Sequence, residues 1–150
     1  MKRSLFLKIF AGYFLIVFLL SVVIVLFSFS AIRSHYLNTL TENLERLAQA
    51  LKGRVIPYIE ESRFQELDAF SKELGKTAKT RITIVSAEGV VQADSEGDPK
   101  SMENHRYRPE IFQALQGKMG KSIRLSPTIK EEMLYVALPL ENEGRISGAV

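Results

Sequence analysis

Apolar residues are distributed unevenly along the chain, and the longest apolar stretch lies near its start. Residues 9–32 form a run of 24 residues without a charged side chain, bounded by Lys8 and Arg33. As a helix this run would be about 36 Å long, against about 30 Å for the hydrocarbon core of a bilayer. A cleaved signal peptide usually has a shorter apolar region, of roughly 7–15 residues. The pattern therefore predicts an uncleaved transmembrane helix.

Beyond Arg33, leucines recur at alternating spacings of three and four residues. The stripe consists of Leu37, Leu40, Leu44, Leu47 and Leu51. This heptad pattern predicts that the membrane helix continues to about Val55 and ends near Gly53 and Pro57. The stripe fits a parallel dimer seam, and it equally fits a helix face that packs on the sheet of its own domain. Both uses can coexist along its length.

After the stripe, the pattern predicts one more helix. Ser62 and Gln65 have the spacing of a capping box, and Gly75 suits a helix C-terminus. From Lys79 onward the period changes to that of strands and turns. The further elements expected in chain order are a hairpin of strands 81–85 and 90–93, a loop over 94–108, a short helix 110–116, strands 122–126 and 133–140, a turn 142–144, and a strand that starts at Arg145.

This order of elements predicts an α+β fold. Five antiparallel strands with helices on one face would form a two-layer domain that follows the transmembrane helix and its long continuation. The strand that starts at Arg145 is still in mid-pattern at Val150. We therefore expect the chain to be the N-terminal part of a longer protein.

The charge distribution predicts the orientation in the membrane. Three of the 20 basic residues, Lys2, Arg3 and Lys8, precede the apolar run, and the other 17 balance the 17 acidic residues. By the positive-inside rule, the N-terminus is cytoplasmic and residues 33–150 are extracytoplasmic. The basic pI of the chain thus comes from its first eight residues and not from a basic face for nucleic acid. We expect no nucleic-acid partner.

The sequence contains no pattern typical of a catalytic or metal site. The absence of cysteine excludes a thiolate metal site, a disulfide framework and a cysteine nucleophile. His35 and His105 stand far apart, which favours structural roles over metal ligation. The segment Asp94–Asp98 resembles the start of an EF-hand loop, but Pro99 and His105 occupy the positions where that loop needs Gly and Glu. We therefore predict no catalytic residue, metal or cofactor in this segment.

One polar cluster is a candidate ligand site. Arg106, Tyr107 and Arg108 precede the short helix, and their guanidinium and hydroxyl groups suit a small anion such as a carboxylate or phosphate. The residues expected to close this pocket from the neighbouring strands are Lys121, Arg124 and Tyr135. The alternative is that the arginines pair with the acidic residues of the loop, Asp94, Glu96, Asp98 and Glu103, and fix its position.

Several segments resemble the extracytoplasmic sensor region of bacterial two-component sensor histidine kinases, and of their phosphate-regulon (PhoR-like) group in particular. The segments are Thr80–Val85, Gly89–Ser95, Met102–His105, Arg108–Ile111, Ala114–Gly117, Met133–Ala137 and Pro139–Leu140. The resemblance implies a PAS-like (Cache-type) fold with a five-stranded antiparallel sheet. With the apolar run and the charges before it, the expected division of the chain is a cytoplasmic N-terminus 1–8, a transmembrane helix 9–32, membrane-proximal helices 33–76 and a sensor domain 77–150 that is truncated at 150.

The resemblance also implies partners and an output. They are a homodimer in the lipid of the bacterial inner (cytoplasmic) membrane, a small anionic ligand or an extracytoplasmic protein as signal, and a response regulator. A histidine autokinase core that uses ATP and Mg would lie beyond this segment. Related sensor modules serve chemoreceptors and cyclic-dinucleotide enzymes, and a membrane-anchored ligand-binding protein without a kinase is a further alternative.

Overall fold

The first element is a single long helix, α1 (Lys2–Glu60), whose first part is apolar and exposed. The computed structural model describes residues 2–125, 131–142 and 144–150, and the chain divides into two compact units, Met1–Leu40 and Thr41–Val150. Every side chain from Leu5 to Tyr36 is exposed. Among the described residues, α1 is the one helix that is long and apolar enough to cross a membrane by length and composition.

α1 ends later than the sequence predicted. Pro57 lies inside the helix, which continues to Glu60. The proline lacks one hydrogen-bond donor, but its neighbours are held by packing. Val55 is fully buried, and the Tyr58 ring stacks on Phe70 with 6.0 Å between the ring centroids. Burial of this turn therefore offsets the hydrogen bond lost at the proline.

The second helix, α2 (Phe64–Ala78), does not begin with the predicted capping box. Its N-cap is Arg63, which makes no side-chain capping bond, and Ser62 has a left-handed backbone conformation with φ 55°. The chain turns at Ser62 because Arg63 N donates to Tyr58 O at 2.8 Å. The serine thus belongs to the turn between the helices and does not cap α2.

Gly75 does not end α2, contrary to the prediction. The helix continues to Ala78, and Lys79 caps it in a left-handed conformation while donating its N–H to Gly75 O. A Cβ atom at Gly75 would lie 2.4 Å from Ser95 Cβ, which is closer than atoms can approach. The glycine is therefore required by the close contact between α2 and the segment after the second strand.

Six strands and two short helical segments complete the described fold. In chain order they are β1 (Thr83–Ser86), β2 (Val91–Asp94), a 3₁₀ helix (Pro99–Ser101), α3 (Pro109–Ala114), β3 (Gly120–Leu125), β4 (Glu132–Ala137), β5 (Pro139–Asn142) and β6 (Arg145–Ala149). The strands form a four-stranded antiparallel sheet of order β2-β1-β6-β5 and a two-stranded ribbon, β3-β4. The α+β class is thus as predicted. Ser126 and Glu143, part of a predicted strand and turn, lie outside the described residues.

The strand predicted over residues 133–140 is two strands, which is why the described residues form six strands where the sequence predicted five. β4 pairs with β3 as far as Ala137. At Leu138 the chain changes partner, because Leu138 and Val150 exchange two backbone hydrogen bonds of 2.8 and 3.0 Å. β5 then continues along β6, with Pro139 opposite Ala149. One extended segment therefore joins the ribbon to the larger sheet.

Helices pack on both faces of the sheet and not on one face as predicted. Ile84 and Val85 are adjacent in β1, so their side chains point to opposite faces, and they belong to different core clusters. The first cluster contains Ala48, Leu51, Val55, Leu67, Ile82, Ile84, Ala93, Leu138, Leu140 and Val150. The second contains Val85, Val91, Ile111, Ala114, Ala137 and Ala149. α1 and α2 thus cover one face, and α3 covers the other.

The leucine stripe of α1 contributes to this first cluster. Leu51 is buried in it and Leu47 packs against it, as expected for a helix face that covers its own sheet. Leu37, Leu40 and Leu44 are half-buried. The end of the stripe is therefore part of the domain core, and a dimer seam along the rest stays a prediction.

Leu51→Ala should lower the free energy of unfolding of the unit Thr41–Val150 by about 2–5 kcal/mol, because it leaves a cavity in the first core cluster. The measurement is urea unfolding of the full chain in detergent micelles, followed by tyrosine fluorescence. Gln49→Ala, on the exposed side of the same turn, is the control and should change the free energy by less than about 0.5 kcal/mol. If Leu51→Ala lowered the free energy of unfolding only at protein concentrations high enough to form dimers, a core role for Leu51 would be contradicted.

Candidate functional site

Asp94, at the end of β2, anchors the start of the loop that leads to α3. Its carboxylate is fully buried. Oδ2 accepts from Thr83 Oγ1 at 2.6 Å and from Arg81 Nε at 3.1 Å. Oδ1 accepts from the backbone N–H groups of Glu96 and Gly97, both at 2.9 Å. The loop therefore begins at a fixed point on the sheet.

These contacts keep the Asp94 carboxylate ionised. Burial alone would raise its pKa, but the hydrogen bonds from Thr83, the two amides and Arg81 outweigh burial, so that the pKa lies below the ordinary value of 3.8. The Asp94 backbone N–H also donates to Asp68 Oδ1 of α2 at 3.2 Å. The same residue thus connects the loop, the sheet and α2.

The far part of the loop folds back on the turn between β1 and β2. His105 N donates to Gly89 O at 2.8 Å, and Asn104 Nδ2 donates to Glu88 O at 2.9 Å. Gly89 has φ +83°, and a Cβ there would lie 2.5 Å from the backbone N of Arg106. A glycine is therefore required both by the backbone conformation and by the closeness of the loop.

His105 is buried at the point where the loop folds back on the β1–β2 turn. Its side chain is buried, and burial, followed by the positive charge of Arg108, lowers its pKa below 6.5. The imidazole is therefore neutral at pH 7. Among the described residues, no group of three or more His, Cys, Asp or Glu side chains is arranged to hold a metal ion.

The residues predicted to bind an anion are only partly brought together. Arg108 Nη2 lies 3.0 Å from Glu103 Oε1, which is the pairing expected if the arginines fix the loop. The hydrogen bond and the charge of Arg108 lower the pKa of the Glu103 carboxyl. Tyr107 is 84% exposed. Arg106 lies beside the β1–β2 turn, as its approach to Gly89 shows.

Arg124 and Tyr135 do meet, but Lys121 does not join them. The guanidinium carbon of Arg124 lies 3.8 Å from the centroid of the Tyr135 ring, at a distance typical of a cation–π contact. Lys121 lies three positions before Arg124 in β3, and side chains alternate between the faces of a strand. Lys121 therefore points to the opposite face of the ribbon.

Glu110 of α3 completes a cluster that the sequence analysis did not find. We call Glu110, Arg124 and Tyr135 the Glu110 site. Arg124 Nη2 lies 3.1 Å from Glu110 Oε1, and the Glu110 side chain is 4% exposed. Two buried atoms of the pair, Glu110 Oε2 and Arg124 Nε, have no hydrogen-bond partner among the described residues. The pair therefore makes one hydrogen bond, and not two, within the part of the chain that the structure describes.

A glycine places α3 directly on β3. A Cβ atom at Gly120 would lie 1.9 Å from the Glu110 carbonyl oxygen, so only glycine permits this approach. Gly120 and Arg124 are four positions apart and lie on the same face of β3. The close contact at Gly120 therefore sets the Glu110 carboxylate near the Arg124 guanidinium.

Comparison with known proteins defines the class of the domain. Residues 34–150 match the family model described as Single Cache-like, and the chain belongs to that family of sensor domains. It is also similar in structure to the sensor domain of the V. cholerae histidine kinase DctB, with a TM-score of 0.58 and 12% sequence identity. This match covers 77% of the chain and 54% of the DctB sensor domain. The chain thus spans about half the length of that domain, and the likeness is one of fold.

A search of curated proteins gives no match. The family match and the shared fold confirm the predicted Cache-type α+β class. The two matches support the assignment to the class of sensor domains. They do not support the narrower assignment to the phosphate-regulon group.

Asp94→Asn should lower the free energy of unfolding by about 2–3 kcal/mol near neutral pH, because charge-assisted hydrogen bonds are weakened. The folded-state pKa of Asp94 lies below the unfolded value, so the carboxylate stabilises the fold above that unfolded value of about 3.8. This contribution is lost as the pH falls through the folded-state pKa.

The measurement for Asp94→Asn is urea unfolding between pH 7 and pH 3, in which the difference from the native chain should shrink below about pH 4. Asp98→Asn is the control, because Asp98 is exposed and asparagine can still accept the hydrogen bond from Lys100 N. A difference that stays constant down to pH 3 would contradict the proposed role of the ionised carboxylate.

Proposed function

We propose that the chain is the signal-input region of a membrane-bound two-component sensor histidine kinase. The observation that carries this proposal is the match of residues 34–150 to the Single Cache-like family, directly after an exposed apolar helical segment that begins at Leu5. A sensor domain placed next to a potential membrane anchor is the arrangement needed to pass an extracytoplasmic signal inward.

The membrane assignment is supported by exposure and by charge. The large apolar side chains between Leu5 and Ile32 are exposed, and lipid is the environment in which such a surface is stable. The three basic residues before residue 9 and the charge balance of residues 33–150 favour a cytoplasmic N-terminus. Residues 33–150 would then lie outside the bacterial inner membrane.

Recognition at the Glu110 site is supported by its chemistry. The site combines an ion pair, an aromatic face and two buried polar atoms that lack a hydrogen-bond partner among residues 2–125, 131–142 and 144–150, and buried polar groups normally find partners. A ligand bound between α3 and the β3–β4 ribbon would alter the contact of α3 with the sheet. To reverse a two-state equilibrium from 1:99 to 99:1, the ligand must bind one state more tightly than the other by about 5.5 kcal/mol of binding free energy.

The proposal that the domain signals to a histidine kinase is supported by the sequence resemblance to sensor kinases and by the fold shared with the DctB sensor domain. In the proposed protein, a histidine autokinase core using ATP and Mg acts on a response regulator, and the phosphate-regulon group is the narrower assignment favoured by the sequence motifs. A chemoreceptor, a cyclic-dinucleotide enzyme or an anchored binding protein would use the same input domain. A second apolar helix and a phosphoacceptor histidine helix encoded after Val150 would favour the kinase, whereas a long heptad-rich helix would favour the chemoreceptor.

Reporter fusions test the orientation. Alkaline phosphatase fused after Glu60 should be active, because this enzyme folds only outside the cytoplasm, and green fluorescent protein fused there should be dark. Fusions after Lys8 are the control: there the phosphatase should be inactive and the green fluorescent protein should be fluorescent. An active fluorescent fusion after Glu60 would overturn the extracytoplasmic placement.

Cysteine cross-linking tests the proposed homodimer, and the chain has no native cysteine to interfere. Leu40→Cys, in the half-buried part of the leucine stripe, should form a disulfide-linked dimer in membranes, because seam residues of a parallel dimer face their counterparts. Leu51→Cys is the control and should stay monomeric, since Leu51 is buried in its own domain. Equal cross-linking at both positions, measured by non-reducing electrophoresis, would contradict a seam confined to the start of the stripe.

A further inference from the structure

Residues 103–108 are the last part of the loop before α3, and we call them the latch segment. Two hydrogen bonds hold it on the turn between β1 and β2. His105 N donates to Gly89 O at 2.8 Å, and Asn104 Nδ2 donates to Glu88 O at 2.9 Å. A third bond, from Arg108 N to His105 O at 3.0 Å, leads to the start of α3. The backbone of His105 thus connects the turn with α3.

The imidazole of His105 is buried in its neutral form. The residue is 3% exposed, and Nδ1 has no hydrogen-bond partner among residues 2–125, 131–142 and 144–150. A neutral imidazole has one donor and one acceptor nitrogen, whereas both nitrogens of the cation are donors. Protonation would therefore bury a charge and leave Nδ1 as a donor without an acceptor, and both changes cost free energy.

The carboxylates whose charges act on His105 already have partners. Glu103 Oε1 lies 3.0 Å from Arg108 Nη2. Both oxygens of Asp94 accept hydrogen bonds, from two side chains and two backbone amides. The third charged group that acts on the ring is Arg108, which is positive. Neither carboxylate is thus available to an imidazolium without the loss of an existing contact.

The turn and α3 carry further carboxylates, which have contacts of their own. In the turn, Glu88 Oε2 accepts from the Ser86 hydroxyl at 2.7 Å. In the first turn of α3, Glu110 Oε1 lies 3.1 Å from Arg124 Nη2. Arg106, in the latch segment, adds a positive charge that acts on Glu88. The surroundings of the latch segment are therefore matched to a neutral histidine.

From these observations we infer that residues 103–108 form an acid-released latch, in which protonation of His105 expels its side chain from the buried position and detaches the segment from the β1–β2 turn. Arg108 is the N-cap of α3. Release therefore acts on the start of the helix that covers the second core cluster with Ile111 and Ala114. The latch itself goes beyond the proposed function, and only the compartment whose pH it senses depends on that proposal.

The pH range of release follows from the direction of the pKa shift. Burial, and then the charge of Arg108, hold the pKa of the buried His105 below 6.5, against the opposing effects of Glu103 and Asp94. A released, hydrated ring titrates near 6.5. The released state therefore binds more protons below this pH, and release becomes more favourable as the pH falls from 6.5 towards the lower pKa of the buried ring.

The two neighbouring carboxyl groups do not titrate in this range. The pKa of Glu103 lies below its ordinary value of 4.5, and the pKa of Asp94 lies below 3.8. Both groups therefore stay ionised between pH 7.5 and pH 5.5. A change of the latch within these limits thus reports on His105 and not on its carboxylate neighbours.

Hydrogen exchange of the full chain in lipid nanodiscs measures release. The amides of His105 and Arg108 are protected by the bonds of the latch, and mass spectrometry gives their opening constant once the intrinsic exchange rate at each pH is divided out. This constant should rise about tenfold from pH 7.5 to pH 5.5, because release takes up one proton. An unchanged constant would overturn the inference. An equal rise at the amides of Leu138 and Val150, which pair within the sheet, would also overturn it, because the whole domain would then unfold.

His105→Gln tests whether this residue takes up the proton. Glutamine does not titrate, so the opening constant should be the same at pH 7.5 and pH 5.5. The chain has one other histidine, His35, which is exposed on α1. His35→Gln is the matched control and should keep the tenfold rise. A rise that persists in His105→Gln, or that disappears in His35→Gln, would assign the proton to another group and contradict the latch.

Arg108→Gln is a second variant for the case that His105→Gln does not fold, which thermal unfolding would reveal. It removes the positive charge beside the ring and frees Glu103 to accept from the imidazolium. The pKa of the buried ring should then move towards 6.5, and the ratio of the opening constants at pH 5.5 and pH 7.5 should fall below about threefold. The ratio cancels any loosening that is the same at both pH values. An undiminished tenfold ratio would be incompatible with release driven by a buried charge.

Discussion

The extended segment from Glu132 to Asn142 is the connection on which the rest of the domain depends. Its first half pairs with β3 and its second half with β6, and the change of partner occurs at Leu138, which exchanges two hydrogen bonds with Val150. The ribbon that carries Arg124 and Tyr135 is thereby continuous with the sheet that carries the core. A displacement of the ribbon must be taken up at Leu138, whose side chain belongs to the same cluster as Leu51 of α1.

Much of the fold could be predicted because its strands and helices have regular apolar periods. The apolar start of α1, the β1–β2 hairpin, α3 and the final strand all follow from such patterns. The ends of the helices could not be predicted, because packing of distant residues decides them. Gly75 has the residue type of a helix end, yet it is required by its contact with Ser95, and Pro57 is retained in α1 because Val55 is buried.

The candidate site was predictable only in part, for a related reason. Arg124 and Tyr135 were singled out as charged and aromatic residues on neighbouring strands, and they do meet. Glu110 was missed because an acidic residue in the first turn of a helix is common and usually solvated. The relevant signal is Gly120, whose lack of a side chain lets α3 reach β3. A glycine in a strand often marks such a close approach. Gly120 would therefore have indicated that α3 contributes a residue to the site.

The composition of the first core cluster has a consequence for the order in which the domain folds. Leu51 and Val55 lie in the first helix, whereas their partners Leu138, Leu140 and Val150 lie about 90 residues further along the chain. The ribosome therefore completes α1 long before the strands that bury it exist. Contacts of such large sequence separation form slowly, and until Val150 has emerged, the apolar face of this helix has to be shielded by lipid, by a chaperone or by a second chain.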